Sequence, residues 1–203
     1  MSVPHAAVVL AAGGSTRLGR PKQLLTRDGE TLVHRAARLA REAGASRVLV
    51  VVGAHADEMH NALADLSVEY VVNNAWQTGM AGSLRLAAEA LATHEAATLL
   101  LACDQPALAL SHLQALRKAA LRTLAGTAAT RFGDRLGIPA LVSPDILHRA
   151  LALHDGDRGL RDVLNVDGLD VVPCDAPELA YDIDTWEDID AAIAKGWLDP
   201  VSS

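Results

Sequence analysis

At 203 residues, half of them apolar and only 3% aromatic, the chain is long enough for one domain with a large core that Ala, Leu and Val must fill. A formal charge of −7 argues against nucleic acid or an anionic membrane as partner, and Cys103 and Cys174, far apart and in no C-x-x-C pair, offer neither a disulfide framework nor a zinc site. No signal peptide and no apolar run of transmembrane length is legible, so the cytoplasm is the expected location.

The first element is a buried strand over Ala6 to Leu10. It opens into a small-residue turn, Ala11 to Thr16, followed closely by Arg17, Arg20 and Lys22. Beside Ala11, Ala12, Gly13 and Gly14 a ligand can lie against the backbone, whose N–H groups then become donors to an anion. Arg17 and Lys22 supply charge for what those donors leave uncompensated. A strand opening into such a loop is a phosphate cradle. It is not the dinucleotide fingerprint, because "GGSTRLG" lacks G-x-G-x-x-G. Nor is it a P-loop, because Arg20-Pro21 stands where Lys and Ser/Thr should open a helix, and Pro21 pushes Arg20 toward extended geometry.

Strands and helices then alternate, as in an α/β layered domain. Leu32, Ala36, Leu39 and Ala43 keep helical spacing up to a stop at Gly44. Arg47 to Val52 reads as a central strand, His55 to Leu66 as a helix, Val68 to Val72 as a strand, Ala81 to Ala92 as a helix and Ala97 to Ala102 as a strand. Ser111 is the candidate cap of a helix running to about Thr123. Ala125 to Phe132 and Pro139 to Val142 follow as strands, and Pro144 opens a helix. Tyr181 to Asp184 reads as a short strand and Thr185 to Ala194 as the last helix.

Four further constellations fall at element ends. Asn73-Asn74 and "GMAGSL", Gly79 to Leu84, lead from a strand into a helix, which puts Ser83 and the loop amides at the carboxyl edge of the sheet. Asp104 in Cys103-Asp104-Gln105-Pro106 follows a buried strand and suits a hard cation. In Tyr181 to Asp190, Asp182 and Asp184 are two apart on an extended segment and share a face, while Thr185 caps the next helix with Glu187 and Asp188 at its positive end. Gly156-Asp157-Arg158-Gly159 with Arg161 is a Gly-rich turn before a helix. The eight histidines form no zinc or Ser-His-Asp pattern.

The stretch Leu10 to Leu25 resembles the signature of the MobA-like nucleotidyltransferases, roughly L-A-x-G-x-S-x-R-M-G-x-x-K-x-L-L. Leu10, Ala11, Gly13, Ser15, Arg17, Gly19, Lys22, Leu24 and Leu25 fall in register, and Leu18 replaces the usual Met at similar volume. The short spacing from Arg17 to Lys22 looks like the cofactor-making branch of these enzymes, and Ala11-Ala12 with the "DQP" after Cys103 look like its molybdenum cofactor cytidylyltransferases. The resemblance implies a single-domain, Rossmann-like layered α/β fold over residues 1–203, with a mostly parallel central sheet and helices on both faces. It implies that Leu10, Ala11, Ala12, Gly13, Gly14, Ser15, Thr16, Asn73, Gly79 and Ser83 bind the nucleotide and that Lys22 and Arg17 are catalytic. Asp104, Asp184 and Asp182 would hold Mg²⁺, and Gly156, Asp157, Gly159 and Arg161 would bind the acceptor. Family members read D-I-D-T-P-E-D or N-I-N-T-P-E-D where this chain has Trp186 for Pro, and many carry G-D-x-G-A-R where it has Leu160 for Ala.

The activity so implied is transfer of CMP from CTP to a molybdopterin-type phosphorylated acceptor, with pyrophosphate released and with contact to molybdoenzyme maturation proteins. A phosphate monoester is already anionic near neutral pH, so no general base is required. Lys22 is expected to face the departing pyrophosphate from a loop, where its removal spares the fold. A GTP-using relative, a glycosyltransferase reading of Asp182-x-Asp184 and a non-catalytic nucleotide-binding maturation factor are the alternatives.

Overall fold

The computed structural model of the chain describes residues 4–154, 159–166 and 168–201. Its first half comprises β1 (His5–Leu10), a hairpin of β2 (Thr26–Arg27) and β3 (Glu30–Thr31), α1 (Leu32–Glu42), β4 (Arg47–Val52), α2 (Ala56–Ala62), β5 (Glu69–Val72), α3 (Met80–Ala90) and β6 (Ala97–Ala102). The second half adds α4 (Leu110–Ala120), β7 (Ala128–Phe132), β8 (Arg135–Val142), α5 (Pro144–Arg149), α6 (Leu160–Leu164), β9 (Val172–Asp175) and α7 (Trp186–Ala194).

Seven of these strands form one sheet in the order β5-β4-β1-β6-β8-β7-β9, and among the described residues β8 alone runs against the rest. The alternation of side chains along each strand divides the core in two. Ala7 and Val9 of β1, Val48, Val50 and Val52 of β4, and Leu99 and Leu101 of β6 meet α1, α2 and α4. Ala6 and Val8, Leu49 and Val51, and Leu100 meet α3, α5 and α6 on the other face. Apolar on both faces, β1, β4 and β6 therefore read as unbroken hydrophobic runs. Alanines on the facing surfaces, such as Ala36, Ala37 and Ala40 of α1, let the helix backbone approach the sheet closely. The mostly parallel α/β layering expected from the sequence is what forms.

A third, smaller core gathers Leu18, Leu25, Leu32, Ile183, Ile189, Ala192 and Leu198. It docks α7 and the segment before it under the loop that follows β1, joining the two ends of the chain. The Thr185 cap is realised in full: its side chain accepts from the amide of Asp188, and the Asp188 carboxylate accepts from the amide of Thr185.

Four local expectations change. Tyr181 to Asp184 is extended but pairs with no strand; the amide of Ile183 instead donates to the carbonyl of Asp104 at 3.2 Å. The unforeseen last strand is β9, an edge strand with alternating burial beside β7. Its Pro173 hid it from the sequence pattern, since Pro is tolerated only at edges. The α4 helix begins at Leu110 with Ala109 at its N-cap, so Ser111 lies inside the first turn and caps nothing. The α2 helix stops at Ala62, where Leu63 turns into the core.

Leu100 is fully buried on β6 and pairs with Val8 on one side and Ala140 on the other. Leu100→Ala leaves a cavity in a sheet face with no room to collapse, and it should cost about 2–5 kcal/mol of unfolding free energy, read from urea denaturation midpoints.

Candidate active site

β1 lies between parallel neighbours β4 and β6, and its carboxyl end opens at the point where the strand order reverses. Leu10 is in register with Val51 and with Ala102, so the loop after β1 starts beside Cys103 and Asp104. The amide of Ala11 donates to the carbonyl of Val51 at 2.9 Å, and the carbonyl of Ala12 accepts from Ala54 at 3.2 Å. Among the described residues, the amides of Gly13, Gly14 and Ser15 have no acceptor. Small residues are required here by contact: a Cβ on Gly14 would run into the Trp76 ring, and one on Gly53 would stand 2.6 Å from the Ala12 oxygen.

A cleft of about 230 Å³ follows this loop. Leu10, Ala11, Ala12 and Gly13 line it from the loop, Trp76, Gly79, Met80 and Ser83 from the entry to α3, and Ala102, Cys103 and Asp104 from the end of β6. Asn73 stands behind it, buried, donating to the Ser83 hydroxyl at 3.0 Å and accepting from the amide of Ala75. Its part is to orient Ser83. Gly14, Ser15 and Thr16 continue the loop without lining the cleft.

The charged groups converge at the mouth of β6. The Lys22 ammonium lies 2.7 Å from Asp104 and 2.9 Å from Asp184, and the Arg17 guanidinium donates to the other oxygen of Asp184 at 2.8 Å. Burial pulls the Lys22 ammonium down, but the charges and hydrogen bonds of the two carboxylates outweigh it and hold it above the ordinary lysine range. Lys22 is only 15% exposed, so it is a shared counterion within the fold. The expectation that its removal spares the fold meets this arrangement: without Lys22, Asp104 loses the cation beside it, while Asp184 keeps Arg17 at 2.8 Å.

Asp182 takes no part in these ion pairs and lines a second cavity of about 380 Å³. Burial raises its carboxyl to about 7, helped by the negative charge of Asp104 and opposed by Lys22. Asp184, two residues on, is pushed up by burial yet held below the usual carboxylate range by Lys22 and Arg17. The second cavity shares Met80, Ala102 and Asp104 with the first and adds Gln105, Phe132, Ile138, Leu160 and Arg161. Arg161, one of the residues expected to bind the acceptor, thus lines this second cavity. Gly159 is not part of the lining: it packs on α3, where a Cβ would come within 3.2 Å of Leu84 and Met80. Gly156 and Asp157 lie outside the described residues. Sequence reasoning missed Gln23, Trp76 and Phe132; only the position of Gln23 next to Lys22 pointed toward the site.

The sequence profile of the MobA-like NTP transferase domain matches residues 7–172. The chain belongs to that family. Nicotine blue oxidoreductase of Paenarthrobacter nicotinovorans is 33% identical over 89% of this chain and 92% of its own length. A probable molybdenum cofactor guanylyltransferase of Opitutus terrae is 38% identical over 56% of this chain and 54% of that protein, so the likeness spans about half of each. Rv0371c of Mycobacterium tuberculosis H37Rv superposes with a TM-score of 0.80 at 28% identity, covering 96% of this chain and all of that one. The structure of its manganese complex superposes at 0.76, with 26% identity over 94% of this chain and 98% of that one. No helix of the MobA-like chain, among the described residues, is long and apolar enough to cross a membrane.

The raised Asp182 carboxyl makes stability depend on pH with a definite sign. Its pKa is near 7 in the folded chain and about 3.9 in an unfolded one, so the fold holds a proton that unfolding releases. Stability from this source is present at low pH and is lost as pH rises toward and past 7. In metal-free buffer, Asp182→Asn should therefore melt higher than the parent near pH 8, by less near pH 5, and show little advantage below about pH 4. An equal difference in Tm at all these pH values would refute the assignment.

Proposed function

We propose that this member of the MobA-like family transfers CMP from CTP to a molybdopterin-type phosphorylated acceptor and releases pyrophosphate. The observation that carries the reading is the Lys22 ammonium shared by Asp104 and Asp184 beside the small-residue loop. A phosphate oxygen of the acceptor attacks the α-phosphorus, the bond from that phosphorus to the bridging oxygen breaks, and the electron pair leaves with pyrophosphate. Lys22 and Arg17 neutralise the charge that gathers on the leaving group, and the loop amides hold the phosphates. The 230 Å³ cleft takes the nucleotide and the adjoining cavity, with Arg161 at its wall, takes the acceptor.

Among the described residues, no three His, Cys, Asp or Glu side chains are gathered as a ready metal cage. The hard-oxygen set of Asp104 and Asp184, with Asp182 adjacent, nevertheless suits Mg²⁺, which takes one or two carboxylates and completes its shell with substrate phosphate and water. Lys22 now occupies the place of a cation between two of them. When bound, Mg²⁺ supplies further charge neutralisation at the triphosphate. The manganese complex of Rv0371c is in keeping with this.

The preference for CTP rests on Ala11-Ala12 and on "DQP". The Gln105 amide nitrogen is taken up by the carbonyls of Ile138 and Leu179. The test is turnover of CTP and GTP with Mg²⁺ and molybdopterin, read as pyrophosphate and product mass. Higher kcat/KM with GTP overturns the base choice, and no pyrophosphate with either overturns the reaction. Because the nicotine blue relative aligns over most of both chains, a parallel arm with a reduced nicotinamide dinucleotide and a quinoid dye tests redox turnover by the same protein.

Lys22→Met should lower kcat by about 10²–10³, as expected for loss of one preorganised contact to developing charge. In metal-free buffer it should also melt below the parent, and Mg²⁺ should raise its Tm more than that of the parent, because the metal then replaces a missing counterion. Near-normal kcat would remove Lys22 from the chemistry.

A further inference from the structure

Gln23 is a polar side chain buried to 1% exposure directly after Lys22, and every part of its carboxamide is used. Its nitrogen donates to the carbonyl of Ala11 at 3.1 Å and to that of Gly13 at 2.6 Å. Its oxygen accepts from the Ser15 hydroxyl at 3.2 Å, and that hydroxyl oxygen in turn accepts from the amide of Lys22 at 3.0 Å. One side chain thus holds three positions of the loop and, through Ser15, the backbone of the residue that carries the central cation.

The consequence follows from peptide geometry. A trans peptide unit is planar, with its C=O and N–H pointing in opposite directions. The carbonyl of Ala11 shares its unit with the amide of Ala12, and the carbonyl of Gly13 shares its unit with the amide of Gly14. Drawing both carbonyls inward to a buried carboxamide turns both amides outward. The carbonyl of Ala12, fixed on the β4 side by Ala54, likewise turns the amide of Gly13 away from β4. Three successive amides are therefore aimed by bonds made to their partner carbonyls. Ser15 is itself held at a φ of 49°, a left-handed backbone conformation that few residues other than glycine adopt.

We infer that Gln23 is a positioning residue for triphosphate binding, the strut that aims the loop amides at the phosphates before any ligand arrives. The inference rests on the nucleotidyl-transfer reading and adds to it the group that preorganises the anion site. An apolar residue of equal size would fill the same space but leave the carbonyls of Ala11 and Gly13 without their donors, and the peptide units would be free to turn.

The experiment is direct binding of CTP, of inorganic pyrophosphate and of Mn²⁺ alone to the parent, to Gln23→Met and to Gln23→Glu, with Tm recorded for each. Gln23→Met should weaken both phosphate ligands by about tenfold or more while leaving Mn²⁺, which the carboxylates hold, within about twofold. With an acceptor supplied, KM for the triphosphate should rise and KM for the acceptor should not. Gln23→Glu keeps the shape of the native residue and regains one donor only when protonated. It should lose affinity near pH 8 and recover part of it near pH 6, a recovery that Gln23→Met lacks. This variant decides the matter if Gln23→Met does not fold. Unchanged phosphate affinity in a folded variant, or equal weakening of Mn²⁺ and phosphate, overturns the inference and leaves the nucleotidyl-transfer reading standing. A parent protein that binds neither CTP nor pyrophosphate overturns both.

Discussion

One ammonium group holds the site together. Asp104 ends β6 and Asp184 precedes α7, and neither segment is near Lys22 in sequence, yet its nitrogen lies within 2.9 Å of both carboxylates. Two carboxylates drawn to one point repel each other unless a cation lies between them, and Lys22, itself mostly buried, is that cation. The third core, in which Leu18 and Ile183 take part, supplies the packing that brings α7 within reach, and the hydrogen bond from Ile183 to the Asp104 carbonyl fixes the approach. Apolar contact sets the distance and the ion pairs set the orientation.

The sheet explains why the site lies where it does. Parallel strands deliver their carboxyl ends to one edge, and the reversal of strand order at β1 leaves a crevice there, bordered by the start of α3. Two cavities share that edge and meet at Met80, Ala102 and Asp104.

Asp182 and Asp184 show how environment divides like residues. Spaced by one isoleucine, they differ in their neighbours: Asp184 has Lys22 and Arg17, whereas Asp182 has a partly desolvated cavity wall and the negative charge of Asp104. One carboxyl titrates low and the other near 7. Adjacent carboxylates with opposed shifts are what active sites use to assign different work to the same chemical group.

The local parts of this arrangement were legible in the chain itself. Apolar runs marked β1, β4 and β6, helical spacing marked α1, and Thr185 followed by Asp188 marked the start of α7, because each depends on residues a few positions apart. The small-residue loop with Lys22, and an Asp directly after a buried strand at Asp104, were likewise readable as groups set at the carboxyl ends of β1 and β6. What only the tertiary structure decided was which of these groups touch. Period-two alternation shows that a strand has two faces but not which strand lies beside it, so nothing local paired Lys22 with Asp104 and Asp184 or left Asp182 apart. The role of Gln23 was hidden for the same reason. A glutamine beside a lysine on a loop reads as solvated, and it becomes a strut only when the loop folds back over it and its amide must find acceptors in the protein because water is excluded.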